Sequence, residues 1–172
     1  MLQLNSVANV GVHRTCTPLY EKYEATPYNT FLDPSDTTNI YSGMVMYRTG
    51  PDTVANAGTA VTVTGAKPFG LSALDRNPNI DDVTQVGINA WAVWLGGSNA
   101  FFTLTAPAFD TTQAYNVLTT GVRTLLYTNA NGQITSASGT ASTLGAVPVA
   151  ELIDVISPTQ ITVRLIPFGA TA

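Results

Sequence analysis

Three observations in the sequence predict an all-β fold. Short segments rich in β-branched and aromatic residues recur along the chain, and turns built from Gly, Asn, Pro and Asp separate them. The apolar pattern has a period of two, most clearly in "QITVRL", where Ile161, Val163 and Leu165 face one way and Gln160, Thr162 and Arg164 the other. The expected architecture is a sandwich or barrel of short antiparallel strands, jelly-roll or tulip-like. An extended N-terminal arm and at most one short helix complete it. A chain of 172 residues fits one domain. At that length ~70% of the unfolded surface can be buried, so the core needs no metal or disulfide. The single cysteine, Cys16, allows no intrachain disulfide.

Residues 1–38 read as the arm and 39–172 as the β-rich body. Pro18, Pro27 and Pro34 oppose helix, and each biases the residue before it to extended backbone. Tyr20, Tyr23, Tyr28 and Phe31 follow no clean period. Such aromatics suit a segment that anchors onto the protein's own sheet or onto a neighbour.

The body then alternates strand and turn. "IYSGMVMYRTG" is a strand closed by Gly50-Pro51-Asp52, and "TAVTVTG" alternates Val61 and Val63 against Thr62 and Thr64. "KPFGLSALDRNPNIDD" carries turn signals at Asn77-Pro78-Asn79. "VGINAWAVWLGGSNAFFTLTA" reads as a hairpin around Gly96-Gly97-Ser98-Asn99. In it Trp91, Val93 and Leu95 share one face and Ala92 and Trp94 the other. One Trp belongs to the core, and Trp94 is left for an interface. "DTTQAYNVLTTG" is the one stretch that could hold a helix, with Asp110 as its cap, although Thr and Asn are indifferent helix formers. "GVRTLLYTNANGQITSAS" is a further hairpin with Asn129-Ala130-Asn131-Gly132 at its tip, and "VPVAELIDVISPTQITVRLIPFG" is the last. Gly43 and Gly121 are 78 apart and Pro68 and Pro148 are 80 apart. This is either chance likeness between β-rich segments or a sign of two similar halves, about 40–106 and 117–166.

Composition narrows the function. Hydrophobic residues make up 45% and charged residues 10% of the chain, against a usual charged share of ~25%. Disorder is therefore excluded for most of the chain. The surface is built from Thr, Asn, Ser and Gln, and suits either a neutral soluble protein or one covered by other subunits. The net charge is −4 and the seven Lys and Arg are scattered, so nucleic-acid binding, which needs clustered cations, is disfavoured. No run approaches a membrane span, and the N-terminus lacks the charged and apolar regions of a signal peptide, so synthesis in the cytoplasm is expected.

Catalytic chemistry finds few candidates. His13, the one histidine, lies three residues before Cys16, and His-x-x-Cys supplies two ligands where structural zinc takes four. Asp33, Asp36, Asp75, Asp81 and Asp82 suit either turn and cap roles or a bound cation near Asp75, Asp81 and Asp82. "GGSNA" breaks the nucleophile-elbow pattern at Ala100. No catalytic residue, metal or cofactor is expected.

The chain resembles the head decoration (cement) proteins of tailed double-stranded DNA bacteriophages. The resemblance is carried by "KPFGLSALDR" and its echo "VPVAELIDV", by the ending "ISPTQITVRL", and by the charge-poor Thr/Ala/Gly composition behind an arm. It covers roughly residues 40 to 166, and its motifs describe β-hairpins. It implies a structural virion protein, not an enzyme, made in the host cytoplasm and placed on the capsid's outer surface. Its partners would be the major capsid protein and itself, as a homotrimer, with no nucleic acid and no membrane. It would clamp neighbouring capsid subunits, with Tyr20, Tyr23, Tyr28, Phe31 and Trp94 at the capsid or subunit interface. The alternatives are a tail component or a receptor-binding fibre or adhesin domain. A hydrolase using Asp81 or Asp82 comes last.

Overall fold

The computed structural model of the protein describes residues 15–18, 27–76, 90–96, 100–117 and 123–167. Among them lie eleven strands and no α-helix: β1 (Cys16–Pro18), β2 (Tyr28–Leu32), β3 (Val45–Arg48), β4 (Thr53–Asn56), β5 (Pro68–Ser72), β6 (Ala90–Trp94), β7 (Phe101–Thr105), β8 (Leu125–Thr128), β9 (Ile134–Thr135), β10 (Ala150–Ser157) and β11 (Gln160–Leu165). The fold is all-β, as the period-two pattern predicts. Five strands close a barrel in the order β2-β4-β3-β5-β6, and six form a sheet in the order β1-β7-β11-β10-β8-β9. Every strand pairing is antiparallel except β2 with β4, which closes the barrel in parallel.

The barrel and the sheet share one plan. In the barrel β4-β3-β5-β6 run side by side with β2 beyond β6, and in the sheet β9-β8-β10-β11 run side by side with β7 beyond β11. Matching positions lie 80 residues apart: Val45 pairs with Leu71 as Leu125 pairs with Glu151, and Tyr47 pairs with Ala55 as Tyr127 pairs with Thr135. The plans diverge at closure. Leu32 pairs with Val54, and Asp33 N–H donates to Val54 O at 2.8 Å. In the sheet only an isolated parallel bridge, Phe109 with Ile134, stands at the matching place, where Asp110 N–H donates to Ile134 O at 2.8 Å. The free edge of β7 is taken by β1 instead, with Cys16 opposite Leu104 and Thr17 opposite Thr103.

Strand alternation sorts the side chains into two cores. Met46, Val54, Leu32, Trp91 and Val93 pack together among the barrel strands with Ile40 and Met44. Val45 and Leu71 instead join the larger core of the sheet, with Cys16, Phe102, Leu104, Leu126, Leu152, Ile161, Val163 and Leu165. The Ile161, Val163 and Leu165 face is thus buried, as its alternation implies.

Three local expectations are corrected. β6 and β7 are strands, but they do not pair with each other: β6 bonds to β2 and β5, and β7 to β1 and β11. The connecting Gly96 passes so close to the backbone of Ile166 that a Cβ there would lie 2.2 Å from its carbonyl oxygen. The chain therefore crosses from barrel to sheet instead of turning back. The "TAVTVTG" stretch is not a strand. Ala57–Ala60 is a 3-10 turn whose first N–H groups are met by Asn56, which accepts from Gly58 N–H at 2.8 Å. The backbone after it bonds to a loop of the second half: Leu144 N–H to Val63 O at 3.1 Å and Gly145 N–H to Val61 O at 2.9 Å. Residues 111–117 form turns and coil, not helix, because Asp110 accepts from Thr112 N–H and its hydroxyl and holds an isolated turn.

Residues 16–18 and 28–32, expected within the arm, are strands of the sheet and the barrel. Residues 1–14 and 19–26 lie outside the described residues, as do Asn77-Pro78-Asn79 and the expected turn Gly97-Ser98-Asn99.

Candidate interaction surface

Of the residues expected at an interface, the structure places Tyr28, Phe31 and Trp94; Tyr20 and Tyr23 lie outside the described residues. On β2 the burial alternates, with Thr30 and Leu32 inward and Phe31 outward. Phe31 is 51% exposed and Tyr28 is exposed as well. Tyr28 meets Phe69 edge to face with ring centroids 5.6 Å apart, and the Arg48 guanidinium stands 4.5 Å over the Phe69 ring. Two aromatic rings and a cation thus form a pre-ordered cluster, while Phe31 faces outward from the other side of β2. Trp94 is half-buried and packs its ring 5.6 Å from Phe102, so it contributes mainly to the larger core, while Trp91 is buried and donates to Ser72 Oγ at 3.1 Å.

A second apolar surface was not singled out from the sequence. Ile153, Val155 and Ile156 on β10 are all exposed. β8 pairs with β10 only at Ala150 and Glu151, and Leu152 N–H donates to Thr124 O, so beyond Leu152 the outer edge of β10 meets no strand among the described residues. The sequence shows only the apolar run of this strand; its exposure follows from the shortness of β8.

Polar groups at the join of barrel and sheet serve the structure. Buried Asp36 accepts from Asn56 N–H at 2.7 Å, Thr38 N–H at 2.9 Å and the Thr38 hydroxyl at 2.7 Å. Asn56 then donates its amide to Asn131 O at 3.2 Å, tying the barrel to the β8–β9 turn. A cleft of about 310 Å³ lies over this seam, lined by Thr38, Asn39, Tyr41, Asn56, Asn131 and Gln133 among others. Its lining carries no carboxylate, imidazole, thiol or cation. The Cys16 thiol is buried and its pKa is driven up, first by desolvation and then by the charge of Asp75, which disfavours the thiolate. Among the described residues no group of three or more His, Cys, Asp or Glu comes together to hold a metal. His13, Asp81 and Asp82 lie outside the described residues.

The features this surface offers a partner are therefore aromatic and aliphatic side chains displayed on a rigid β scaffold. A comparison with curated proteins finds no match. The sequence pattern of the phage cement proteins matches residues 2–172, nearly the whole chain. An all-β body that displays apolar side chains on its surface is consistent with that match, and the chain belongs to the phage cement protein family, a family of structural, capsid-associated proteins of the bacteriophage virion.

Proposed function

We propose that the protein binds the outer surface of the phage capsid as a homotrimer and stabilises the shell by clamping neighbouring major capsid subunits. The observation that carries this reading is the exposed aromatics of β2, Phe31 on its outer face and Tyr28 packed with Phe69 and Arg48. Large rings held in fixed positions lose little entropy on docking, and such residues dominate protein interfaces. These aromatics follow residues 19–26, which bring Tyr20 and Tyr23, so one continuous stretch of chain supplies four aromatic anchors. A ligand that binds only the assembled shell, at many copies, stabilises that shell by mass action.

Capsids stripped of the protein provide the test. Phe31→Ala and Tyr28→Ala are each expected to weaken saturation binding by about tenfold or more, the cost of losing one interface anchor. Phe31 is 51% exposed, so Phe31→Ala should barely move the melting temperature of the free protein, whereas Tyr28→Ala also loses the edge-to-face contact with Phe69 and should lower it by roughly a few degrees. Variants that saturate capsids at wild-type concentrations would remove these aromatics from the contact.

A further inference from the structure

One end of the barrel holds two exposed cations that no carboxylate neutralises among the described residues. We propose that this end receives a carboxylate-bearing segment of the capsid protein, with Arg48 gripping the carboxylate and Lys67 beside it. The inference rests on the capsid binding proposed above and names the chemistry that the partner must present there.

Strand directions bring the parts together. β2 and β5 begin, and β3 and β6 finish, at the same end of the barrel, since Tyr28 pairs with Val93 and Tyr47 with Pro68 in antiparallel register. Arg48 follows Tyr47 and Lys67 precedes Pro68, so both leave the β3–β5 ladder at that end. Tyr28, Phe69 and, one residue past β6, Leu95 add apolar surface there, and Tyr28 and Leu95 are exposed.

Five of the seven Lys and Arg lie among the described residues. Arg123 and Arg164 both face Glu151, and Arg76 is buried and donates to the Asp36 backbone carbonyl. The other two, Arg48 and Lys67, are exposed and make no salt bridge among the described residues, not even with Asp52 on the turn after β3. A ring holds Arg48 in place of an anion: its guanidinium stands 4.5 Å over Phe69 and 6.0 Å from the Tyr28 ring centroid. A ring contact fixes the group but uses none of its five N–H donors. The guanidinium can therefore take a planar carboxylate through two parallel hydrogen bonds, and the apolar side chains around it strengthen that pair by excluding water. Charge also selects the class of partner. The chain carries a net charge of −4, and two cations fall short of the positive stripe that a phosphate backbone needs, which disfavours nucleic acid. A single carboxylate entering an apolar surround suits the site.

The test titrates stripped capsids with full-length variants over a range of salt, with thermal unfolding as a check on folding. Arg48→Gln should weaken binding about tenfold at low salt and Arg48→Glu about a hundredfold, each with a single cooperative transition. Added salt should weaken wild-type binding, and should weaken that of Arg48→Gln less steeply. Arg48→Lys should restore the wild-type salt dependence and part of the affinity. An Arg48 that only positions Phe69 would lower affinity and leave the salt dependence unchanged, and that result overturns the inference. So does Arg48→Gln binding as tightly as the wild type while Phe31→Ala binds weakly, which leaves the proposed function standing. Retention of the wild type, but not of Arg48→Gln, on a DNA fragment at the same salt overturns it too, since the anion would then be a phosphate. Wild-type protein that does not bind stripped capsids at all removes the proposed function, and this inference with it.

Discussion

Asp75 and Asp110 show how single carboxylates are set by their surroundings. Asp75 is exposed at one side, but partial desolvation raises its pKa, and the Ser42 N–H that donates to it only partly offsets this. A raised carboxyl contributes stability below its unfolded value of ~3.9 and loses that contribution as pH rises through the folded value. Ionised Asp75 is therefore a cost at neutral pH. Asp75→Asn keeps the acceptor for Ser42, so its thermal midpoint should exceed the wild type's at pH 7, and the gain should vanish as pH falls below about 4. A midpoint below wild type at pH 7 would overturn this account. Asp110 goes the other way: some burial pushes its pKa up, but hydrogen bonds from the Thr112 hydroxyl, Thr112 N–H and Asn129 outweigh it. Asp33 is lowered by the Ser35 hydroxyl and N–H. These two contribute stability above ~pH 4 that is lost as pH falls through their folded values.

Between elements, a close join with a left-handed backbone is at Gly43, where φ is +96° and a Cβ would lie 3.0 Å from Ala108, Cys16 and Leu104. Here the turn before β3 meets β1 and β7. Gly43→Ala adds left-handed strain to crowding and should cost about 2 kcal/mol, lowering the melting temperature by roughly 5 °C for a chain of this size. Strands with a clean alternation or a tight polar turn, such as β10–β11 and β8–β9, were legible in the sequence because their pattern and pairing are local. β6 and β7 were legible as strands but not as members of different layers, since nothing in "LGGSNA" encodes the passage of Gly96 under Ile166. "TAVTVTG" misled because its backbone bonds to a loop some 80 residues away, and a period-two pattern cannot distinguish that from a ladder. On β2, Phe31 was legible as an aromatic without a period, and the structure leaves it exposed. The β10 edge was not legible, because exposure there depends on how short β8 is.

For the whole molecule, the weaving of early residues into both layers sets what can be removed. β2 is a barrel wall, with Leu32 and Asp36 buried behind it. Deletion of residues 1–38 is expected to abolish the cooperative thermal transition, whereas deletion of 1–14 leaves β1 and β2 in place and should keep it. Cooperative unfolding of the longer deletion at the wild-type temperature would contradict this. The placing of β7 between β1 and β11 also imposes an order in time. The barrel draws only on residues 28–94 and can form while the rest is still being synthesised, since its pairings are comparatively close in sequence. The sheet cannot: β7 must wait for Leu165 to emerge before both its edges are filled, with Cys16 and Ile161 on either side of Leu104. A nascent chain would thus pass through a stage with one finished half and an open, apolar strand, and the surface offered to its partners is completed late in synthesis.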